Sequence, residues 1–142
     1  MEKKVLARKV VDKMFNNDPF SQWLGIQRLD DAPGSSVLSM KVRKEMLNGF
    51  DILHGGVTFS LADSALAFAS NSYGKISLSI EAGMSYLEAA MEGDILTATA
   101  EEVSITNKIA IYHITVKNQD NKKIALFKGT VYRTGKLHFE GQ

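Results

Sequence analysis

Between Asn48 and Gly74 the chain reads NGFDILHGGVTFSLADSALAFASNSYG, a polar, glycine-containing entry followed by a strongly apolar segment. Read as a helix beginning near Gly56, this segment places Val57, Leu61, Ala62, Ala65, Leu66, Phe68 and Ala69 around most of its circumference. A helix that is apolar nearly all round has to be buried, so the rest of the chain must be able to wrap it.

What remains on the helix is one narrow polar stripe. Ser60, Asp63, Ser64, Ala67, Ser70 and Asn71 recur at spacings of three and four, which stacks them along a single face. From Ile52 to Gly74 the only formally charged residue is Asp63. Solvent-facing stripes are normally filled with Lys, Glu and Arg, so small hydroxyl and amide side chains point to a face turned toward protein or ligand. A carboxylate there is poorly solvated and its protonation is open to tuning. Taken alone, Asp63 reads as a buried carboxylate bonded to backbone; its neighbours change the reading. His54-Gly55-Gly56 stands where the helix begins, and unpaired N–H groups at a helix start can hold an oxyanion. Paired glycines also let a substrate carbonyl approach the backbone, although a tight turn would use them equally well.

The wrapping material is mostly strand. Glu2 to Phe15 carries Leu6, Val10 and Met14 at steps of four and predicts an amphipathic helix, closed by the breaker cluster Asn16 to Pro19. Its lysines raise a membrane-surface helix or a transit peptide, but Glu2 and Asp12 interrupt the charge and serine is absent, so packing on its own domain is the expectation. Trp23 to Asp31 and Val37 to Arg43 read as strands about the turn Ala32-Pro33-Gly34-Ser35. After the central helix, Ile76, Leu78, Ile80, Ala82, Met84 and Tyr86 alternate with small and polar residues, giving a long strand apolar on one face. Gly93-Asp94 turns into Ile95 to Ile105, where the apolar phase slips at Glu101-Glu102 and predicts a bulge. Residues 108 to 117 and 123 to 133 complete the set, with a loose tail expected over 136 to 142. Helix, two strands, buried helix and four strands on short connections imply one α+β domain over 1 to 142, a mainly antiparallel sheet laid around the central helix.

Composition removes several classes of function. A formal net charge of +1 gives no field for nucleic acid, and no RNA-binding signature appears. With no cysteine there is no thiol nucleophile and no thiolate metal site, and His54, His113 and His138 lack metal-ligand spacing. No apolar run reaches the roughly 18 residues of a membrane span and no signal core follows the basic start, so a cytoplasmic protein is expected. Neither a G-x-S-x-G elbow nor a phosphate-loop or dinucleotide fingerprint is present.

Asn48 and Gly49, then His54-Gly55-Gly56, then Phe59-Ser60-Leu61-Ala62-Asp63 resemble the signature of the phenylacetate-degradation (PaaI-like) acyl-CoA thioesterases of the hotdog superfamily. The likeness extends to Met14-Phe15 with Asp18, to Leu24-Gly25-Ile26, to Gly93-Asp94 and to Ala125-Leu126-Phe127-Lys128-Gly129, which is nearly the whole chain. It implies the hotdog fold, an antiparallel sheet wrapped around a long central helix, and dimers that pair into a homotetramer. It implies hydrolysis of an acyl-CoA such as phenylacetyl-CoA or a medium-chain acyl-CoA to free acid and CoA, with no cofactor beyond the CoA of the substrate. Asp63 would be base or nucleophile, the Gly55 amide the oxyanion donor, and Asn48 the group that orients water or substrate. His54 would shape the oxyanion turn, with Gly56 and Ser64 beside the substrate. One departure stands out. Where many relatives have an Arg-Pro-like step that helps hold CoA phosphates, this chain has Glu88-Ala89-Ala90, which leaves Lys108, Lys128 and Arg133 as candidates and an acyl-carrier protein as another carrier.

Spacing adds an expectation about assembly. Gly55 and Asp63 lie eight residues apart on one helix, about 12 Å at a rise of about 1.5 Å per residue, too far to meet on one carbon. Two antiparallel helices from neighbouring subunits would bring Gly55 of one chain to Asp63 of the other. Two rivals keep the same fold: a hydratase of enoyl thioesters and an acyl-CoA binder without turnover.

Overall fold

The computed structural model describes residues 1–142. The order is α1 (Lys3–Asn16), α2 (Pro19–Trp23), β1 (Gln27–Ala32), β2 (Ser35–Lys41), a 3-10 turn (Lys44–Met46), α3 (Gly55–Asn71), β3 (Lys75–Tyr86), β4 (Ile95–Ile105), β5 (Ile109–Lys117) and β6 (Lys123–Leu137). Six strands form one sheet in the order β1-β2-β4-β5-β6-β3, every neighbouring pair antiparallel. α3 lies against β2, β4, β5, β6 and β3 in turn, and so is wrapped as its apolar circumference requires. Leu61, Ala62, Ala65, Leu66, Phe68 and Ala69 of α3 are buried. They meet Leu38 and Met40 of β2, Leu96 and Ala98 of β4, Tyr112 and Ile114 of β5, and Phe127 and Val131 of β6 in one core.

Close seating of α3 depends on Gly129. A Cβ at that position of β6 would run into the Leu66 side chain, so the absent side chain admits the helix to the sheet. The bulge expected near Glu101-Glu102 falls between Glu102 and Ser104, and Val103 within it and Ile105 beyond it are exposed. No helix is long and apolar enough to cross a membrane.

Three sequence expectations need correction. Trp23 does not begin a strand: the Asp18 carboxylate accepts the Ser21 N–H at 2.9 Å and Pro19 opens the first turn, so Pro19–Trp23 is a short helix and β1 starts only at Gln27. The C-terminal tail is tied down. Lys13 Nζ donates to the His138 carbonyl at 2.9 Å, the His138 N–H to the Gly74 carbonyl at 2.8 Å, and Gln142 Nε2 to the same carbonyl at 2.7 Å. The apolar face of β3 is covered only in part: Ala82 and Met84 pack on the core, whereas Leu78, Ile80 and Tyr86 are 58%, 59% and 56% exposed. β3 is an edge strand paired only with β6, and a register shift between Ser79 and Glu81 breaks its alternation. A long apolar edge of this kind is a pairing surface unless something covers it.

Candidate functional site

The entry to α3 is built by short-range hydrogen bonds. Asn48 Oδ1 accepts the N–H of Phe50 at 2.8 Å and that of Ile52 at 3.4 Å, closing a turn that carries Asp51 at a positive φ of 59°. The His54 N–H donates to the Met46 carbonyl at 2.9 Å and anchors the turn to the core side of the chain. His54 is the N-cap of α3, its Nδ1 accepting the Gly56 N–H at 2.9 Å. An accepting Nδ1 carries no proton, so the neutral ring is protonated at Nε2. The cap satisfies Gly56 and leaves the Gly55 N–H without an acceptor at the positive end of the helix. The Tyr86 hydroxyl donates to the Gly55 carbonyl at 2.9 Å and fixes the orientation of that residue.

Gly55, Asn48 and Tyr86 line one cavity of about 390 Å³, together with Thr58, Glu88 and Ala90. Asn48 contributes its turn-forming amide, whose Nδ2 makes no hydrogen bond within the chain. A cavity with an unpaired N–H and a free amide donor is suited to a carbonyl oxygen that gains negative charge.

Asp63 stands two turns further along α3 in a different cavity, of about 370 Å³, with Met14, Ser70, Asn71, Ser79 and His138 among its walls. Its side chain is exposed on the single chain, and the carboxyl nevertheless sits above the ordinary carboxylate range. Partial burial among α3 and its neighbours pushes it up, and the Asp18 carboxylate pushes it further. The isolated chain thus keeps Gly55 and Asp63 apart, in two cavities along one helix.

The remaining candidates separate. Gly56 is exposed beside the imidazole of its own cap. Ser64 is buried, its hydroxyl 2.8 Å from that of Ser21, which donates in turn to Asp18 at 2.6 Å. This chain of bonds pins α2 to α3 next to Asp63. Of the basic candidates, Lys128 pairs with Glu81 at 3.1 Å, and Arg133 donates to the Thr106 carbonyl at 2.7 Å with its guanidinium over the Tyr73 ring. Lys108 is exposed and its side chain makes no hydrogen bond. Glu88 pairs with Lys122 at 3.4 Å in the wall of the Gly55 cavity. No group of three His, Cys, Asp or Glu side chains is placed to hold a metal.

Sequence reasoning missed Tyr86, Ser79 and His138. Tyr86 was legible only as the last member of an alternating strand, and its hold on Gly55 depends on how β3 passes the helix entry. Ser79 looked like the polar half of the same alternation, and His138 lay in a tail expected to be loose.

The thioesterase superfamily model matches residues 50–125, which hold α3 with its cap and all of β3, β4 and β5. A protein of Archaeoglobus fulgidus classed provisionally as an esterase is 47% identical over 132 residues, 93% of this chain and 86% of that protein. The Escherichia coli acyl-coenzyme A thioesterase PaaI is 38% identical over 86% of this chain and 87% of its own. The PaaI structure superposes with a TM-score of 0.94 over 96% of this chain and 99% of that one. A hypothetical thioesterase of Streptococcus pneumoniae, solved with coenzyme A, matches at 25% identity and a TM-score of 0.83, covering 88% of this chain and 98% of that one.

Proposed function

The chain belongs to the thioesterase superfamily as a PaaI-like hotdog thioester hydrolase, and from that premise we propose that it hydrolyses acyl-CoA thioesters at a site shared by two subunits. The observation that carries the reading is the separation of two complementary half-sites on α3. Gly55 offers an unpaired N–H beside Asn48 in one cavity, and Asp63 offers a carboxylate of raised basicity in the other. The exposed apolar edge of β3 supports pairing of two chains, which would set antiparallel α3 helices side by side. Dimers of that kind would then pair into a homotetramer.

In the proposed reaction the thioester carbonyl oxygen accepts hydrogen bonds from the Gly55 N–H and Asn48 Nδ2 of one subunit. Asp63 of the other takes a proton from water as the water oxygen bonds to the carbonyl carbon. The tetrahedral oxyanion collapses, the C–S bond breaks with its electron pair leaving on sulfur, and Asp63 returns the proton to the thiolate. A carboxyl pKa nearer the working pH makes a better general base than an ordinary aspartate, which favours water activation over direct attack. Thiolate is a good leaving group, so positioning and oxyanion stabilisation supply most of the catalysis. His54 acts through the turn it caps, Gly56 leaves room for the carbonyl, and Ser64 holds the helix segment bearing Asp63. Lys108 is the candidate free to meet a CoA phosphate. We propose an enzyme of the cytoplasm that draws on the acyl-CoA pool, with aryl-acetyl and medium-chain acyl groups as the substrate classes.

The test is thiol release from phenylacetyl-, benzoyl-, hexanoyl- and octanoyl-CoA by the wild type and Asp63→Asn. Turnover that falls by about 10²–10⁴-fold in the variant supports Asp63 as the base. Release that survives the substitution removes Asp63 from the chemistry, and no release from any substrate favours the hydratase or the binder. Incorporation of oxygen-18 into the Asp63 carboxylate in a single turnover would mark direct attack instead.

A further inference from the structure

The cavity that holds Asp63 does not stop at the carboxylate. It follows α3 through Leu66, Ala67 and Ser70 to Asn71, about 12 Å along the helix at about 1.5 Å per residue. Its sides are apolar, from Met14 of α1, Leu78 of β3 and Val131 of β6, and Asp63 is the only formally charged residue in its lining. At the Asn71 end the wall is His138, a residue of the C-terminal tail.

Hydrogen bonds to Asn71 fix how His138 is held. Asn71 Nδ2 donates to the Ala67 carbonyl at 2.8 Å and the Ser77 carbonyl at 3.1 Å, and Asn71 Oδ1 accepts the Ser77 N–H at 2.9 Å. The amide can therefore face only one way. Its Oδ1 lies 2.8 Å from His138 Nε2, so that nitrogen carries a proton and is the donor. Burial and the nearby Lys13 ammonium hold the ring's pKa below its ordinary value, in keeping with a neutral wall. The backbone is secured on both sides, by Lys13 on the His138 carbonyl and by Gly74 accepting the His138 N–H. The tail is built to keep this ring in place.

Resting on the reading of Asp63 as the thioesterase base, we propose that the cavity from Asp63 to Asn71 is the acyl pocket and that His138 is its end wall, the residue that limits the length of acyl group accepted. The pocket takes uncharged acyl groups, aryl-acetyl or medium-chain, whose carbonyl lies at Asp63 and whose far end meets the imidazole. Acyl groups ending in a second carboxylate are refused, because no cation lines the cavity to pair with it.

The experiment compares kcat/KM for phenylacetyl-, octanoyl- and dodecanoyl-CoA in the wild type, His138→Ala and His138→Phe, with melting temperature as the control for folding. His138→Ala leaves no orphaned acceptor, since Asn71 Oδ1 still takes the Ser77 N–H. The dodecanoyl to phenylacetyl ratio should rise at least about tenfold in the alanine variant and fall in the phenylalanine variant, because several methylenes gain or lose their place. If both folded variants change all three substrates by one common factor, His138 is only structural and the inference is overturned. Should the alanine variant melt, the ratio in the bulkier phenylalanine variant decides alone: a fall supports the end wall and no change rejects it. Asp63→Asn run alongside separates the two levels. An inactive Asp63→Asn with unchanged ratios overturns only the end wall, whereas a fully active one overturns the site reading beneath it.

Discussion

Asp63 and Asp18 interact although neither bonds the other. Asp18 spends both oxygens on Ser21, as cap of α2 and acceptor of a hydroxyl, and its charge still raises the Asp63 carboxyl. Asp18→Asn keeps a good N-cap and removes the charge, so Asp63 should ionise at lower pH. The acidic limb of kcat/KM against pH should shift downward, while a purely structural Asp18 would leave it in place. Stability carries the opposite signature. A carboxyl whose folded pKa lies above its unfolded value costs nothing below the unfolded pKa and opposes folding once pH exceeds the folded one. Asp63→Asn should therefore raise the melting temperature at neutral pH and lose that advantage toward pH 3, a gain in stability at the expense of turnover. The polar stripe, the cap and Asp63 were all legible in the sequence, because periodicity marks a face and His-Gly-Gly marks a helix start. What the stripe's members do was not: Ser64 is bonded to Ser21 from a segment 43 residues away, and no local pattern encodes that distance.

At the scale of elements, the seating of α3 is the constraint most open to test. Gly129→Ala would push a Cβ into Leu66 at the packed face between helix and sheet. It should destabilise the fold by about 1–3 kcal/mol, the usual cost of overpacking a core, read as a lowered denaturation midpoint. Sequence periodicity found the central helix and the four long strands, since both rest on local alternation. It misplaces α2, because Asp18-Pro19 reads as a breaker although the same pair is also a capped helix start. It saw the alternation of β3 but not that the strand is an edge, because edge or centre is a property of the whole sheet. The same limit hid the tail, whose anchors Gly74, Lys13 and Asn71 come from three separate elements.

For the whole molecule, the open apolar edge and the divided site make one argument. Ile80→Lys on the β3 edge should yield a folded chain that sediments as a monomer and releases no thiol, since each monomer would keep two half-sites and no complete one. The most direct test is complementation between two inactive chains. Gly55→Pro deletes the oxyanion N–H, at a first helical position where proline is tolerated, and its ring also displaces the exposed Tyr86 side chain. Asp63→Asn deletes the base. Refolded together in equal amounts, half of the dimers carry one chain of each kind. In a shared site each mixed dimer keeps one intact pair, Gly55 of the Asp63→Asn chain facing Asp63 of the Gly55→Pro chain, so about a quarter of wild-type thiol release should return. A mixture as inactive as its two components would contradict the account, because it would place Gly55 and Asp63 of the same chain in one site.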